Sequence, residues 1–150
     1  MQTQSRKMFL LPALVSAGLV AACGGGSPVG AQQAAEPTIT ITDVPPGAPG
    51  GSEQMFPIAG TVAGIPAQSY QNYKVVIYVF AGDKWWVQPY DYAPKTSLSS
   101  ALKFETETHG GSIYAALLVR PAYEPKRTAA VLPDVGGDVV ARQRVAGKSN

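Results

Sequence analysis

The chain has 150 residues, 45% apolar and 15% charged, with 12 Lys plus Arg, 10 Asp plus Glu, one histidine and one cysteine. A single cysteine excludes an intrachain disulfide, so core packing alone must hold the fold, and the length suffices for one core. Two of the cations, Arg6 and Lys7, stand at the start, and the rest of the sequence carries ten charges of each sign. That balance gives no electrostatic case for a nucleic-acid partner, which needs a basic face. Lys126-Arg127 and Arg142-x-Arg144 are too small to make one and read as solvated charges.

After Arg6 and Lys7 comes an apolar stretch, Met8 to Val20, too short to cross a bilayer of about 30 Å as a helix. It ends Leu19-Val20-Ala21-Ala22, directly before Cys23. Ordinary secretory cleavage needs small side chains at the cut but has no use for a thiol, whereas lipid transfer needs a nucleophilic sulfur there. Val20-Ala21-Ala22-Cys23 resembles a bacterial lipobox. The resemblance implies a signal peptide at 1–22 and a diacylglyceryl thioether on Cys23, with its amino group acylated or free. Two or more acyl chains hold a protein stably at a membrane, at about 0.8 kcal/mol per buried methylene. The other readings are a plain secretory signal before a buried thiol, and an uncleaved anchor, which the short apolar core disfavours. Residues 23–36, opening Gly24-Gly25-Gly26-Ser27, lack periodicity and read as a flexible tether. Lipoproteins with aspartate after the cysteine are often held at the inner membrane. Gly24 stands there, which in a Gram-negative cell resembles outer-membrane sorting. The expected location is the cell envelope.

The domain expected over 37–146 opens with Thr38-Ile39-Thr40-Ile41-Thr42, whose period-two alternation predicts a half-buried strand. Val44 to Gly51 is a cluster of Pro and Gly, a loop. Met55 to Ala63 predicts a strand with Ile58, Gly60 and Val62 on one face, and Gly64 to Asn72 a turn region. Tyr73 to Phe80 is apolar on both faces and so predicts a central strand covered on both sides. A turn at Ala81-Gly82-Asp83 leads to a strand over Lys84 to Gln88, and Pro89 to Ser97 is irregular. Ala101 to Thr108 alternates, His109-Gly110-Gly111 turns, and Ser112 to Arg120 is a second strongly apolar strand. Pro121 to Thr128 reads as loop, Val139 to Val145 as a weak edge strand, and 147–150 as a C-terminal tail. With no capped helical pattern after residue 22, about seven short strands predict an all-β, antiparallel, immunoglobulin-like sandwich. A small open barrel is the runner-up.

Five stretches follow one another in a familiar order: Gly60-Thr61-Val62-Ala63-Gly64-Ile65, Tyr73-Lys74-Val75-Val76-Ile77-Tyr78-Val79, Lys84-Trp85-Trp86-Val87-Gln88-Pro89, Ala115-Ala116-Leu117-Leu118-Val119, and Tyr123-Glu124-Pro125. This order resembles a bacterial β-sandwich module that recurs beside polysaccharide-handling domains such as glycoside hydrolases. The chain departs from it twice. Gln88 stands where lysine is usual before proline, and Ser97 to Leu102 replaces an expected D-G-x-W turn. The module has no reaction of its own, so the resemblance implies an accessory role.

Trp85, Trp86, Tyr90 and Tyr92 form the candidate binding set. Adjacent tryptophans on a strand point to opposite faces, so at most one is core. The other is covered by the Pro89–Pro94 loop with its N–H bonded to backbone, stacks on the C–H face of a sugar ring, or joins a protein-contact patch. Candidates for catalysis fall away. His109, the sole histidine, sits beside Gly110-Gly111 as an exposed turn residue. Glu105 and Glu107, about 7 Å apart on a strand, have the separation of an inverting glycosidase pair, but they flank Thr106 on a half-exposed strand and read as a solvated face. Asp83, Asp91, Asp134 and Asp138 have no metal-binding spacing. No Gly-x-Ser-x-Gly elbow or phosphate loop occurs. The expectation is a membrane-anchored, non-enzymatic envelope lipoprotein, without cofactor or metal, acting as an accessory module for polysaccharide or an envelope protein. The alternative is a structural lipoprotein or assembly subunit with protein partners and no glycan binding.

Overall fold

The computed structural model describes residues 35–51, 53–89 and 94–149, all within one compact unit. Cys23, the lipobox, Tyr90, Asp91 and Tyr92 lie outside the described residues. The strands are β1 (Thr38–Asp43), β2 (Met55–Ala63), β3 (Lys74–Ala81), β4 (Lys84–Gln88), β5 (Thr96–Ser97), β6 (Lys103–His109), β7 (Ile113–Val119), β8 (Thr128–Ala129) and β9 (Val139–Ala146). Among the described residues the helical content is a 3-10 stretch at Ala67–Asn72. The smaller sheet has the order β1-β2-β6 and the larger β8-β4-β3-β7-β9, with β5 pairing β3 beyond the end of β4. All ladders are antiparallel. The chain changes sheet after β2, β5 and β6, as a Greek-key sandwich of the immunoglobulin-like kind does. The expected all-β sandwich is the observed fold; the sheets share no strand, so it is not a closed barrel.

The core between the sheets follows the alternation in the sequence. Ile39 and Ile41 of β1 and Ile58 and Val62 of β2 point inward against Val75, Ile77 and Val79 of β3 and Tyr114, Ala116 and Leu118 of β7. Gly60 takes its place because a Cβ there would stand 2.1 Å from the Thr40 carbonyl oxygen and 2.5 Å from the ring of Phe104, its cross-strand partner. The ring of Phe104 fills what the glycine leaves empty. The β3–β4 hairpin turns at Gly82, whose φ of 68° suits a two-residue turn with glycine first.

The apolar runs of β3 and β7 have a second cause. Their outer faces, with Val76, Tyr78, Ala115, Leu117 and Val119, pack against Tyr123, Ala129 and Leu132 from the segment between β7 and β9. That segment forms a partial third layer. Its fixing points are Tyr78 Oη donating to the Lys126 carbonyl (3.1 Å), Val87 N–H donating to the Arg127 carbonyl (3.0 Å), and Arg142 Nη1 donating to the Pro133 carbonyl (2.6 Å). Arg142 is therefore a clamp on the turn and not simply a solvated charge.

Three details differ from the sequence reading. Two-residue strands β5 and β8 lie in segments expected to be irregular, because so short a pairing has no period to detect. β6 begins at Lys103, because Leu102 is left-handed (φ 57°) with its N–H bonded to the Ser99 carbonyl (2.9 Å). In the tail, Lys148 exchanges backbone bonds with Pro45 and Gly47, and Gly147 N–H bonds the Ser112 carbonyl.

Candidate functional site

The two tryptophans separate as strand geometry requires. Trp85 is only 4% exposed and faces outward from the larger sheet into the packing with Leu132, beside its β8 partner Ala129. Phe80 meets it at 5.2 Å between ring centroids, and the Arg144 guanidinium lies 5.0 Å from its ring centre. Both contacts are of stabilising type, and they leave Trp85 no face for a ligand. Its proposed binding role is corrected to a core role. Trp86 points the other way, toward the intersheet core, but is only partly buried. The smaller sheet ends at β6, and beside β4 it leaves a cleft of about 810 Å³, of ordinary size for a ligand site.

Trp86 forms an aromatic wall of this cleft. Its Nε1–H donates to the Ala81 carbonyl (3.3 Å), so the indole's polar atom is satisfied by backbone. The ring face remains as its means of interaction. Lys84 Nζ approaches the ring at 5.9 Å from the centroid. Around Trp86 stand Gln88, His109, Arg127 and Glu53, with the backbone of Gly50 and Gly51 from the β1–β2 loop. Gly50 is held at φ 99° against Ala81, where an added Cβ would come within 2.5 Å of the alanine methyl. The glycine-rich loop thus closes one side of the cleft by backbone contact.

Gln88 is the organising polar group. It is 1% exposed at the end of β4, and its Oε1 accepts from both the backbone N–H (3.0 Å) and Nδ1 (2.8 Å) of His109. An acceptor facing Nδ1 fixes the proton there and orients the ring. His109 is the last residue of β6, so this one amide couples the two sheets at the mouth of the cleft. Arg127 is positioned by the bond from Val87 N–H to its carbonyl.

The arrangement offers an aromatic face, cationic donors, a carboxylate acceptor and backbone polar groups within one cleft. Of the predicted set it places Trp86 there, withdraws Trp85 and leaves Tyr90 and Tyr92 outside the described residues. Sequence reasoning missed Gln88, Arg127, Glu53 and the placement of His109. The one signal in the sequence was Gln88 directly before Pro89 at the end of a strand. Glu105 and Glu107 are exposed on β6, away from the cleft, as a solvated face. Among the described residues no three His, Cys, Asp or Glu side chains gather to hold a metal. The chain matches no protein-family model, no curated protein and no solved structure.

Proposed function

We propose that this protein is a lipid-anchored envelope lipoprotein without catalytic activity, and that its β-sandwich is an accessory module binding polysaccharide in the Trp86 cleft. The anchor rests on Cys23 following a charged, then apolar, then small-residue leader. The binding reading rests on one observation above others: of two adjacent tryptophans, one is consumed by the core while the other lines a cleft with its N–H already bonded. A pyranose has an apolar C–H face and a rim of hydroxyls that donate and accept. An aromatic wall flanked by Arg127, Glu53 and glycine backbone complements both properties.

Titration of the chain with a panel of oligosaccharides, followed by tryptophan fluorescence, tests the reading. A saturable change with one glycan class, lost in Trp86→Ala with the circular dichroism unchanged, is expected. A flat response across the panel overturns it. Metabolic labelling with a palmitate analogue should disappear in Cys23→Ser. A second reading, a structural or assembly subunit with protein partners, is favoured by one observation: among the described residues β6 has a strand on only one side.

A further inference from the structure

The open edge of β6 is half closed, in a way that leaves a short gap. The bond from Val62 N–H to the Leu102 carbonyl (2.8 Å) and the pairs Gly60↔Phe104 and Ile58↔Thr106 turn the backbone of even-numbered residues toward β2. Odd-numbered residues therefore present N–H and C=O to the open side. Three contacts agree. The Lys103 carbonyl accepts from Ser99 N–H (2.8 Å), Lys103 N–H donates to Ser99 Oγ (3.2 Å), and His109 N–H donates to Gln88 Oε1 (3.0 Å). Each end of the edge is thus tied by residues of the same chain. Between the ties, the backbone groups of Glu105 and Glu107 face outward, and no described strand pairs with them. The opposite edge of the same sheet is treated differently: Ile41 N–H of β1 is taken by the Gln143 side chain of β9.

An uncovered edge is a template for another strand, and charged side chains decide which strand can use it. Glu105 and Glu107 are both exposed and share the outer face, with Phe104 and Thr108 buried on the other. A second copy paired through the same edge would set glutamate beside glutamate, which is unfavourable. A segment with cations at alternate positions would set an ammonium or guanidinium opposite each carboxylate.

We propose that the β6 edge between Lys103 and His109 binds an extended segment of a partner protein carrying Lys or Arg at two alternate positions, which adds a fourth strand to the smaller sheet. The main-chain bonds at Glu105 and Glu107 supply the pairing, and the two carboxylates select the sequence. This site is separate from the glycan reading and does not depend on it.

The test uses the full chain and capped synthetic peptides of the form Thr-Lys-Val-Lys-Thr, followed by fluorescence anisotropy and by amide hydrogen exchange. The alternating lysine peptide should bind about tenfold more tightly than its glutamate counterpart, given cross-strand charge pairs of up to about 1 kcal/mol each, and added salt should narrow the difference. Binding should slow exchange at the Glu105 and Glu107 amides. The doubly reversed variant Glu105→Lys/Glu107→Lys should invert the preference. Backbone N-methylation of the peptide at its lysines should abolish binding without altering its charge. Three results would each overturn the proposal: equal binding of the two peptides, binding that survives N-methylation, or self-association of the chain that protects the same amides without peptide.

Discussion

One side-chain oxygen, Gln88 Oε1, lies 3.0 Å from the backbone nitrogen and 2.8 Å from Nδ1 of His109, and so joins the end of β4 in one sheet to the end of β6 in the other. The amide is buried, so water cannot replace it on the His109 N–H. Gln88→Ala should destabilise the fold by about 1–3 kcal/mol, the cost of leaving a donor without its acceptor. Gln88→Met keeps the bulk but removes the acceptor and should lose nearly as much as Gln88→Ala. Urea midpoints of the two variants decide the matter, and a Gln88→Met variant as stable as the unaltered chain would mean that packing, not the hydrogen bond, is the function of this side chain.

The tryptophans should part company when each is truncated. Trp85→Ala removes a buried ring packed against Phe80 and Arg144, and should cost about 3–5 kcal/mol. Trp86→Ala removes a half-buried wall of the cleft and should cost clearly less while eliminating ligand-dependent fluorescence change. Denaturant unfolding measures both. A Trp86 variant less stable than the Trp85 variant would contradict the assignment of core and site.

Gly60→Ala should fail by crowding rather than by lost contact. The new methyl would meet the Thr40 carbonyl and the Phe104 ring at distances no real Cβ tolerates, so β1 and β6 must both shift. Overpacking of this type costs about 1–3 kcal/mol or more. Phe104→Leu in the same background should recover part of the loss, a rescue that thermal unfolding can detect.

Alkaline pH should unfold the protein through two tyrosines. Burial pushes the Tyr78 hydroxyl far above its ordinary range, with the neighbouring Tyr123 acting in the same direction, and burial also raises Tyr114. In the unfolded chain both lose their protons near pH 10, while in the native state burial defers that loss to higher pH. Stability is therefore fully present below about pH 10 and falls as the pH rises above it, with a limiting slope of about 1.4 kcal/mol per pH unit for each tyrosine. Urea midpoints taken from about pH 8 to 11.5 should show the decline, and Tyr78→Phe should make it shallower. Identical profiles for the two proteins would contradict this account.

Tyr114 illustrates how far the sequence could be read. Its place in an apolar run marked it as strand, and nothing more. In the fold its hydroxyl donates to the Pro46 carbonyl (2.7 Å) and accepts from Gly111 N–H (3.1 Å). Both partners precede Tyr114 in the chain, Gly111 by three residues and Pro46 by 68.

The sequence by itself determined the seven longer strands and their inward faces, because side-chain alternation at period two is a local property that each segment carries alone. Thr38–Thr42, Met55–Ala63 and Lys84–Gln88 could be bounded almost to the residue, and the opposite facing of Trp85 and Trp86 followed from the pleat. Which tryptophan would be covered was not local. That depended on the segment between β7 and β9 packing over the outer face of the larger sheet on one side and on the smaller sheet stopping at β6 on the other. The cleft, the Gln88–His109 tie and the gap in the β6 edge likewise exist only once strands distant in the chain are stacked. Periodicity tells a residue which way to face, but what it faces is set by the order of strands across the two sheets.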